Sequence, residues 1–308
     1  MVSAKRVAPH AFLMFFIFCL NKGSVSSYLH FTIFTKITNF RESPSSFEDT
    51  SSDLSYCAVY FLNLSQSVNW WDLGVLPDKY ERMKRIITTT DDGSATLYVP
   101  ELDEHYHSVK GAHTESIHIF INMGMHRALE TGAQQPLRIF EVGFGTGLNA
   151  LLTLEEAERT GVSVIYYSAE LYPLQWSEIE PLHYSDHPLF EQLHQVAWNE
   201  LVEITPHFTL CKLQGDVHQL DIPAADVVYF DAFAPEKQPE MWEESFLDKL
   251  FTALPPKAVL TTYCAKGEVR RRLQRAGFLV ERLPGPPGGK REILRATVPD
   301  VVSENNDL

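Results

Sequence analysis

The feature that most constrains the fold is a short apolar run that ends in an acid and passes directly into three alternating glycines. Its sequence is Arg138-Ile-Phe-Glu-Val-Gly-Phe-Gly-Thr-Gly-Leu-Asn149. The β-rich residues before the glycines predict a buried strand, and a helix is expected to begin where the glycines end. Glycines at such a turn let the backbone bend sharply and let a ligand approach it. The segment therefore predicts a strand-turn-helix unit with a ligand site at the turn.

Apolar strand-like runs alternate with amphipathic helical runs in the following part of the chain. Strands are predicted at residues 137–142, 164–171, 208–213, 226–230 and 258–263. Helices are predicted near residues 148–159, 189–201, 241–254 and 268–276. This alternation predicts an α/β fold with a Rossmann-like, doubly wound and mainly parallel sheet, in which ligands bind beyond the carboxyl ends of the strands. Residues 279–283 and 291–297 predict a C-terminal antiparallel hairpin.

Residues 1–82 differ in character from the rest of the 308-residue chain. The apolar stretch at 11–20 is about half the ~20 residues that span a bilayer, so we expect no membrane association. We interpret 1–82 as an N-terminal extension that is disordered or lies upstream of the true start at Met83, with a signal peptide as the alternative. The remainder divides into an N-terminal substrate segment (83–135), the main α/β domain (136–300) and a tail (301–308). The substrate segment should hold a strand at 96–99 and a helix near 114–130.

Charge and cysteine content limit the partners and the compartment. The formal net charge of −14 excludes a uniformly basic surface, so any nucleic-acid site must be a local patch of Lys and Arg. The four cysteines lie far apart, which predicts neither a zinc site nor a disulfide framework and favours a reduced, cytoplasmic setting. Several histidines precede residue 120, but no acid or cysteine spacing completes a metal site, and we expect none.

The spacing of the glycines and the acids near them indicates the class of ligand. Gly143, Gly145 and Gly147 lack the later glycine that admits the pyrophosphate of a dinucleotide, so an NAD-dependent oxidoreductase is disfavoured. An acid before the glycines suits a cationic ligand without phosphate, such as S-adenosylmethionine. Acids also follow the next two predicted strands, although each could simply cap a helix. The predicted cofactor-binding residues are Glu141, Gly143, Phe144, Gly145, Gly147, Asn149, Glu170, Asp216 and Asp231.

The fourth predicted strand ends in Asp231, the first polar residue after an apolar run. We expect its carboxylate at the mouth of the cofactor pocket, with Phe233 and Pro235 as an apolar rim. A carboxylate there can orient an acceptor amine and assist the loss of its proton, so Asp231 is the predicted catalytic residue. The alternative is a turn or cap residue.

The same segments resemble a known family, the methyltransferase domain of the MnmC enzymes, which also exists as the free-standing MnmD protein. The resemblance covers nearly all of 83–300 and lies in Glu141-Val-Gly-Phe-Gly-Thr-Gly-Leu-Asn149, Glu170-Leu-Tyr-Pro-Leu174, Gly215-Asp-Val217, Asp231-Ala-Phe-Ala-Pro235, Gln238-Pro-Glu-Met-Trp242, Lys266-Gly-Glu-Val-Arg-Arg-Arg-Leu-Gln-Arg-Ala-Gly-Phe278, Lys290-Arg-Glu-Ile-Leu294 and Tyr106-His-Ser-Val-Lys-Gly-Ala-His-Thr-Glu-Ser116. Ala232 stands where many bifunctional members have glycine.

The resemblance implies a class I S-adenosylmethionine-dependent methyltransferase that methylates the primary amine of 5-aminomethyl-2-thiouridine at the tRNA wobble position. It implies cofactor contacts at Glu141, Gly143, Gly145, Glu170 and Asp216, and an acceptor-side acid at Asp231. Bifunctional members carry a further FAD-dependent oxidase domain after the methyltransferase. This sequence ends at Leu308, so we expect other enzymes to make the aminomethyl precursor, which gives a functional link to them.

Weaker signals concern the substrate. The basic residues Arg271, Lys290 and Arg291 are candidates for contact with tRNA, with a solvated helix face as an equal alternative for Arg271. Trp242 is a candidate for stacking on a flipped-out uridine, or else a core aromatic. Two other functions stay open: methylation of a small-molecule amine, and a non-catalytic adenosine-binding module of an RNA-modification complex.

Overall fold

The computed structural model describes residues 83–300, all of them within one unit that spans Leu76–Leu308. The expectations for 1–82 and for the tail 301–308 lie outside the described residues. Residues 83–300 contain two sheets and the helices that pack on the larger one. In that range no helix is both long enough and apolar enough to cross a membrane.

The substrate segment begins with a small antiparallel sheet and continues into a long helical stretch. The strands are β1 (Ile86–Thr89), β2 (Ala95–Val99) and β3 (Glu104–His105). The helical stretch consists of α1 (Ala112–Ser116), a π-helical part (Ile117–His126) and α2 (Arg127–Glu130). Strand β2 and the helix were predicted, whereas β1 was not, because only one of its four residues is even partly buried.

The main domain alternates strands with helices as the sequence predicted. Its strands are β4 (Leu137–Val142), β5 (Val164–Glu170), β6 (Leu201–Thr205), β7 (Phe208–Gln214), β8 (Val227–Phe230), β9 (Val259–Thr262), β10 (Leu279–Pro284) and β11 (Glu292–Thr297). Its α-helices are α3 (Leu148–Thr160), α4 (Trp176–Ile179), α5 (Pro188–Gln195), α6 (Glu244–Ala253) and α7 (Gly267–Ala276). Short 3-10 helices cover Glu180–Leu182 and Pro239–Trp242.

Eight strands of the described chain form one sheet in the order β10-β11-β9-β8-β4-β5-β7-β6. Strands β9, β8, β4, β5 and β7 are mutually parallel, while β11 and β6 pair antiparallel at the two sides. The chain passes from β4 to β5 on one side and later returns to β8 on the other. The strand order therefore reverses beside β4, and the carboxyl end of β4 is the expected ligand position. The predicted doubly wound sheet and the C-terminal hairpin are confirmed.

The hydrophobic core lies on both faces of this sheet. On one face, Ile139 and Tyr166 pack against residues of the helical stretch, α3 and α5. On the other face, Phe140 and Val228 pack against α6 and α7. Because both faces are covered, the central strands are nearly continuous apolar runs, which is why they were predictable.

Two predicted helix boundaries were wrong. The helix predicted at 189–201 ends at Gln195, because Val196 takes an extended conformation and Asn199 has a positive φ of 62°. The chain then enters β6, which was not predicted. The helix predicted at 241–254 begins only at Glu244, after a 3-10 turn.

Candidate active site

A pocket opens at the carboxyl ends of β4, β5, β7 and β8, where the sheet topology places it. The structure brings eight of the predicted site residues to its wall: Gly143, Phe144, Gly145, Asn149, Glu170, Asp216, Asp231 and Phe233. These residues lie at or after the ends of four strands, Asn149 in the first turn of α3, and are up to 90 positions apart in sequence. Their convergence follows from the parallel pairing, since the carboxyl ends of parallel neighbours share one edge of the sheet.

The glycine loop forms the floor of this pocket. Gly145 has φ +50°, and a Cβ atom there would lie 3.2 Å from the ring of Tyr106. Gly147 does not line the pocket; its φ of +72° makes the turn into α3, and a Cβ atom there would meet His194 Nε2 at 2.7 Å. The loop therefore needs glycine for backbone conformation at both positions and for close packing as well.

Glu170 ties the loop to the next strand. One carboxylate oxygen accepts a hydrogen bond from the Gly145 amide at 3.0 Å, and the other accepts one from the Tyr172 amide at 2.8 Å. Each oxygen can accept a further hydrogen bond, and Glu170 lines the pocket, so its carboxylate can accept from a pair of ribose hydroxyls.

Asp216, at the end of β7, lines the pocket and also caps a turn. Its Oδ1 accepts hydrogen bonds from the His218 amide and from His218 Nδ1, both at 2.9 Å. Asp216 therefore both caps a turn and lines the pocket.

Asn149 connects two buried acids. Its Nδ2 donates to Glu141 Oε1 at 3.0 Å and to Asp231 Oδ2 at 2.8 Å. Glu141 is 1% exposed, accepts a second hydrogen bond from Ser168 Oγ at 2.6 Å, and does not line the pocket. The structure thus corrects the expectation of a direct cofactor contact for Glu141, which acts on the pocket through Asn149.

The protonation of both acids is shifted by their surroundings. Burial raises the pKa of Glu141 to about 8, against the opposing hydrogen bonds from Ser168 and Asn149. Burial likewise raises the pKa of Asp231 to about 7; the Asn149 hydrogen bond and the Lys290 ammonium oppose this rise, and the Glu115 carboxylate adds to it. A carboxyl group that titrates near neutrality is suited to accept a proton during catalysis.

The rim beside Asp231 is built around Phe233. Its ring meets Tyr106 edge-on, with centroids 5.2 Å apart, and its amide donates to Gln238 Oε1 at 3.3 Å. Pro235 lies in the same loop but does not line the pocket.

Trp242 does not reach the substrate side. The side chain is 1% exposed, packs on Phe230 at 4.7 Å between ring centroids, and donates its indole N–H to the Phe233 carbonyl at 2.8 Å. Stacking on a uridine is therefore corrected to the core interpretation. The cause is the 3-10 turn before α6, which points the ring inward instead of along a helix surface.

The basic residues of α7 and of the last hairpin are partly neutralised by acids. On α7, Arg272 pairs with Glu268 and Arg275 pairs with Glu244. Arg271 and Arg291 are exposed and, within residues 83–300, make no ion pair. Lys290 does not line the pocket; its ammonium lies 3.4 Å from Glu115.

Several pocket residues were not predicted. Tyr106 and His107 lie in a segment that resembles the family, but neither was predicted as a site residue. No sequence pattern indicated that Arg85 would lie at the pocket. The Arg85 guanidinium donates to the Tyr106 hydroxyl at 3.3 Å and to Glu178 at 3.1 Å. His107 is buried, contacts Thr146 Oγ1 at 2.8 Å, and has its pKa lowered to about 4 by burial and by the charge of Lys290. The substrate segment therefore forms one wall of the pocket.

The residues present fit S-adenosylmethionine, which carries an ammonium and a sulfonium. Carboxylates of Glu170, Asp216 and Asp231 line the pocket, and the glycine loop exposes its backbone there. Asn149 Oδ1 is buried and has no hydrogen-bond partner among the described residues, so it can accept from a ligand N–H. No group of three or more His, Cys, Asp or Glu side chains in 83–300 is arranged to hold a metal ion.

Comparisons with known proteins agree with this geometry. Residues 181–299 match a family described as S-adenosyl-L-methionine-dependent methyltransferase. The chain is 32% identical over 215 residues to the tRNA 5-methylaminomethyl-2-thiouridine biosynthesis bifunctional protein MnmC of Methylobacillus flagellatus, covering 64% of this chain and 33% of the relative. It is 35% identical over 205 residues to the protein of the same name in Pseudomonas paraeruginosa, covering 59% and 30%. The chain thus spans about a third of the length of these relatives.

A solved structure of a similar protein has the same fold. The crystal structure of MNMC2 from Aquifex aeolicus superposes with a TM-score of 0.57 and 26% identity, covering 79% of this chain and 86% of that one. Fold and pocket together define a class I S-adenosylmethionine-dependent methyltransferase with S-adenosylmethionine as its cofactor. Within that class, the chain is similar over the matched residues to the MnmC proteins and to the MNMC2 structure.

Proposed function

We propose that this protein transfers a methyl group from S-adenosylmethionine to the primary amine of 5-aminomethyl-2-thiouridine at the wobble position of tRNA. The observation that carries the proposal is the place of Asp231 at the junction of the cofactor loop and the Phe233 rim, held by Asn149. The names of the relatives support the choice of substrate.

The chain's residues have separate tasks in this reaction. The glycine loop, Glu170 and Asp216 hold the cofactor, whose sulfonium supplies an activated methyl group. Asp231 orients the acceptor amine and takes its proton as the new N–C bond forms and the C–S bond breaks. Alignment of nitrogen, methyl carbon and sulfur supplies much of the rate, because such enclosure replaces a bimolecular encounter.

The substrate lies, in this proposal, between the Phe233–Pro235 rim and the basic residues Arg271, Lys290 and Arg291. The exposed side chains of Arg271 and Arg291 can contact the phosphates of tRNA without reading its sequence. We further propose that 83–135 is the substrate segment and 136–300 the methyltransferase domain, that the protein acts in the cytoplasm, and that it depends on the enzymes that make the aminomethyl precursor.

The test is methylation of tRNA isolated from cells that lack this activity. Purified protein and S-adenosylmethionine should produce 5-methylaminomethyl-2-thiouridine, detected by nucleoside mass spectrometry. Asp231→Asn should lower the rate at least a hundredfold and change cofactor affinity only a few-fold, because loss of a general base costs about that much.

Asp248→Asn, an exposed acid on α6, is the matched control and should be fully active. Product formation after RNase treatment of the substrate would identify a small-molecule amine as the acceptor. An active Asp231→Asn variant would overturn the catalytic assignment.

A further inference from the structure

The ammonium group of Lys290 is held in a defined place near the acceptor end of the pocket. It lies 3.7 Å from the ring centroid of Tyr263 and 3.4 Å from Glu115 Oε2. Lys290 belongs to the turn between β10 and β11. Because β11 pairs antiparallel with β9, with Leu294 opposite Thr262, this turn projects beyond the same sheet edge as the pocket.

Glu115 explains why the lysine is held. Its side chain is only 8% exposed, and one oxygen accepts a hydrogen bond from the Ser108 amide at 3.1 Å. A buried carboxylate needs a compensating cation, and Lys290 supplies it. The aromatic face of Tyr263 adds a cation–π contact that fixes the ammonium on the other side.

Tyr263 links this arrangement to the catalytic strand. Its hydroxyl donates to the carbonyl of Ala232, the residue after Asp231, at 2.9 Å. Burial raises the pKa of Asp231 and the Glu115 carboxylate adds to the rise, while the charge of Lys290 opposes it. Burial, and then the charge of Lys290, lowers the pKa of His107, and both Asp231 and His107 line the pocket. The other titratable groups that interact electrostatically with Asp231 are Glu115, Glu141, Tyr166 and Tyr263. Those that interact with Lys290 also include His107 and Cys264.

We propose that Lys290, fixed by Glu115 and Tyr263, is a positioning residue that shifts the charge at the acceptor site: it favours the ionised form of Asp231 and the neutral form of the incoming amine. The proposal rests on the function proposed above. An ammonium has no lone pair and cannot attack the methyl group, so transfer requires a neutral amine beside an ionised carboxylate. A fixed cation lowers the pKa of both groups and thereby widens the pH range in which this state exists.

The first measurement is independent of methylation. In protein labelled with ¹³C at the aspartate carboxyls, Asp231 is assigned by its loss in Asp231→Asn and then titrated. Lys290→Met should raise the titration midpoint of Asp231 by about one pH unit, and Lys290→Arg should return it toward the wild-type value. Lys257→Met, which removes an exposed, ion-paired lysine before the amino end of β9, should leave the midpoint unchanged.

The second measurement is the single-turnover rate at saturating tRNA and cofactor as a function of pH. Lys290→Met should shift the acid limb of the profile upward by about one unit, so the rate below the midpoint falls about tenfold and recovers at high pH. An unchanged midpoint for Asp231 would overturn the inference. So would a weaker, more salt-sensitive KM for tRNA with an unchanged pH profile, since that describes a phosphate contact. Failure of the wild-type protein to methylate tRNA, with the Asp231 shift present, would instead refute the proposed function.

Discussion

Replacing Glu141 by glutamine should make the stability of the free protein less dependent on pH. Glutamine has nearly the same shape, and it can still accept from Asn149 and donate to Ser168. Burial raises the pKa of the native carboxyl from 4.5 to about 8. The folded state therefore binds a proton more tightly than the unfolded chain, and the resulting stability, complete below pH 4.5, is lost as pH rises toward 8.

The size of this effect follows from the shift. Each pH unit between the two pKa values corresponds to about 1.4 kcal/mol, so the wild type should lose roughly 3 kcal/mol from this group between about pH 5.5 and about pH 8. The pKa of Asp231 is also raised, to about 7, and Asp231 contributes to the same trend at lower pH. Above pH 7, the change with pH in the free energy of unfolding of wild type relative to Glu141→Gln comes mainly from Glu141.

Urea unfolding of the free protein at several pH values measures this difference. The free energy of unfolding of Glu141→Gln, relative to wild type, should rise with pH by roughly 3 kcal/mol over that range. Glu203→Gln, an exposed change on β6, is the control and should give a constant difference. Calorimetry should show S-adenosylmethionine affinity within a few-fold of wild type, because Glu141 does not line the pocket. A pH-independent stability difference for Glu141→Gln would refute the reasoning.

Two further changes test the pocket wall and the core beside it. Gly145→Ala should weaken S-adenosylmethionine binding about tenfold in calorimetry. A Cβ atom 3.2 Å from the Tyr106 ring displaces that wall of the pocket, and an alanine at φ +50° costs about 1–2 kcal/mol. Unchanged affinity would contradict this expectation. Trp242→Phe should lower the free energy of unfolding by about 1–2 kcal/mol, because the hydrogen bond to the Phe233 carbonyl is lost, and should leave KM for tRNA unchanged. A higher KM at unchanged stability would support stacking of Trp242 on a uridine.

The sequence predicted the fold well where burial on both faces makes a strand a continuous apolar run. Strands β4, β5, β7, β8 and β9 were all located, and their parallel order follows from the alternation with helices. Strands β1 and β6 were missed because they are short edge strands with few buried residues. An exposed edge strand carries little hydrophobic periodicity, so the pattern that identifies strands is weak there.

Which site residues could be predicted from the sequence also depends on where they lie relative to the buried strands. Parallel strands bring their carboxyl ends together, so a polar residue that follows an apolar run, such as Glu170 or Asp231, could be assigned to the pocket from its position alone. Glu141 lies inside β4, where alternate residues face opposite sides, and its burial behind Asn149 depends on α3.

The charge arrangement around Asp231 depends on tertiary contacts that no local pattern encodes. Glu115 lies in the helix of the substrate segment, Asp231 follows β8, and Lys290 lies in the last hairpin. A lysine in a Gly/Pro-rich turn of an acidic protein has the sequence appearance of a solvated cation. Its environment is set by the antiparallel pairing of β11 with β9, which places the turn over Tyr263, and by the packing of the helical stretch against β9. The opposite charges of Glu115 and Lys290 thus come from the helical stretch and from the last hairpin, and neither of these elements contains the glycine loop.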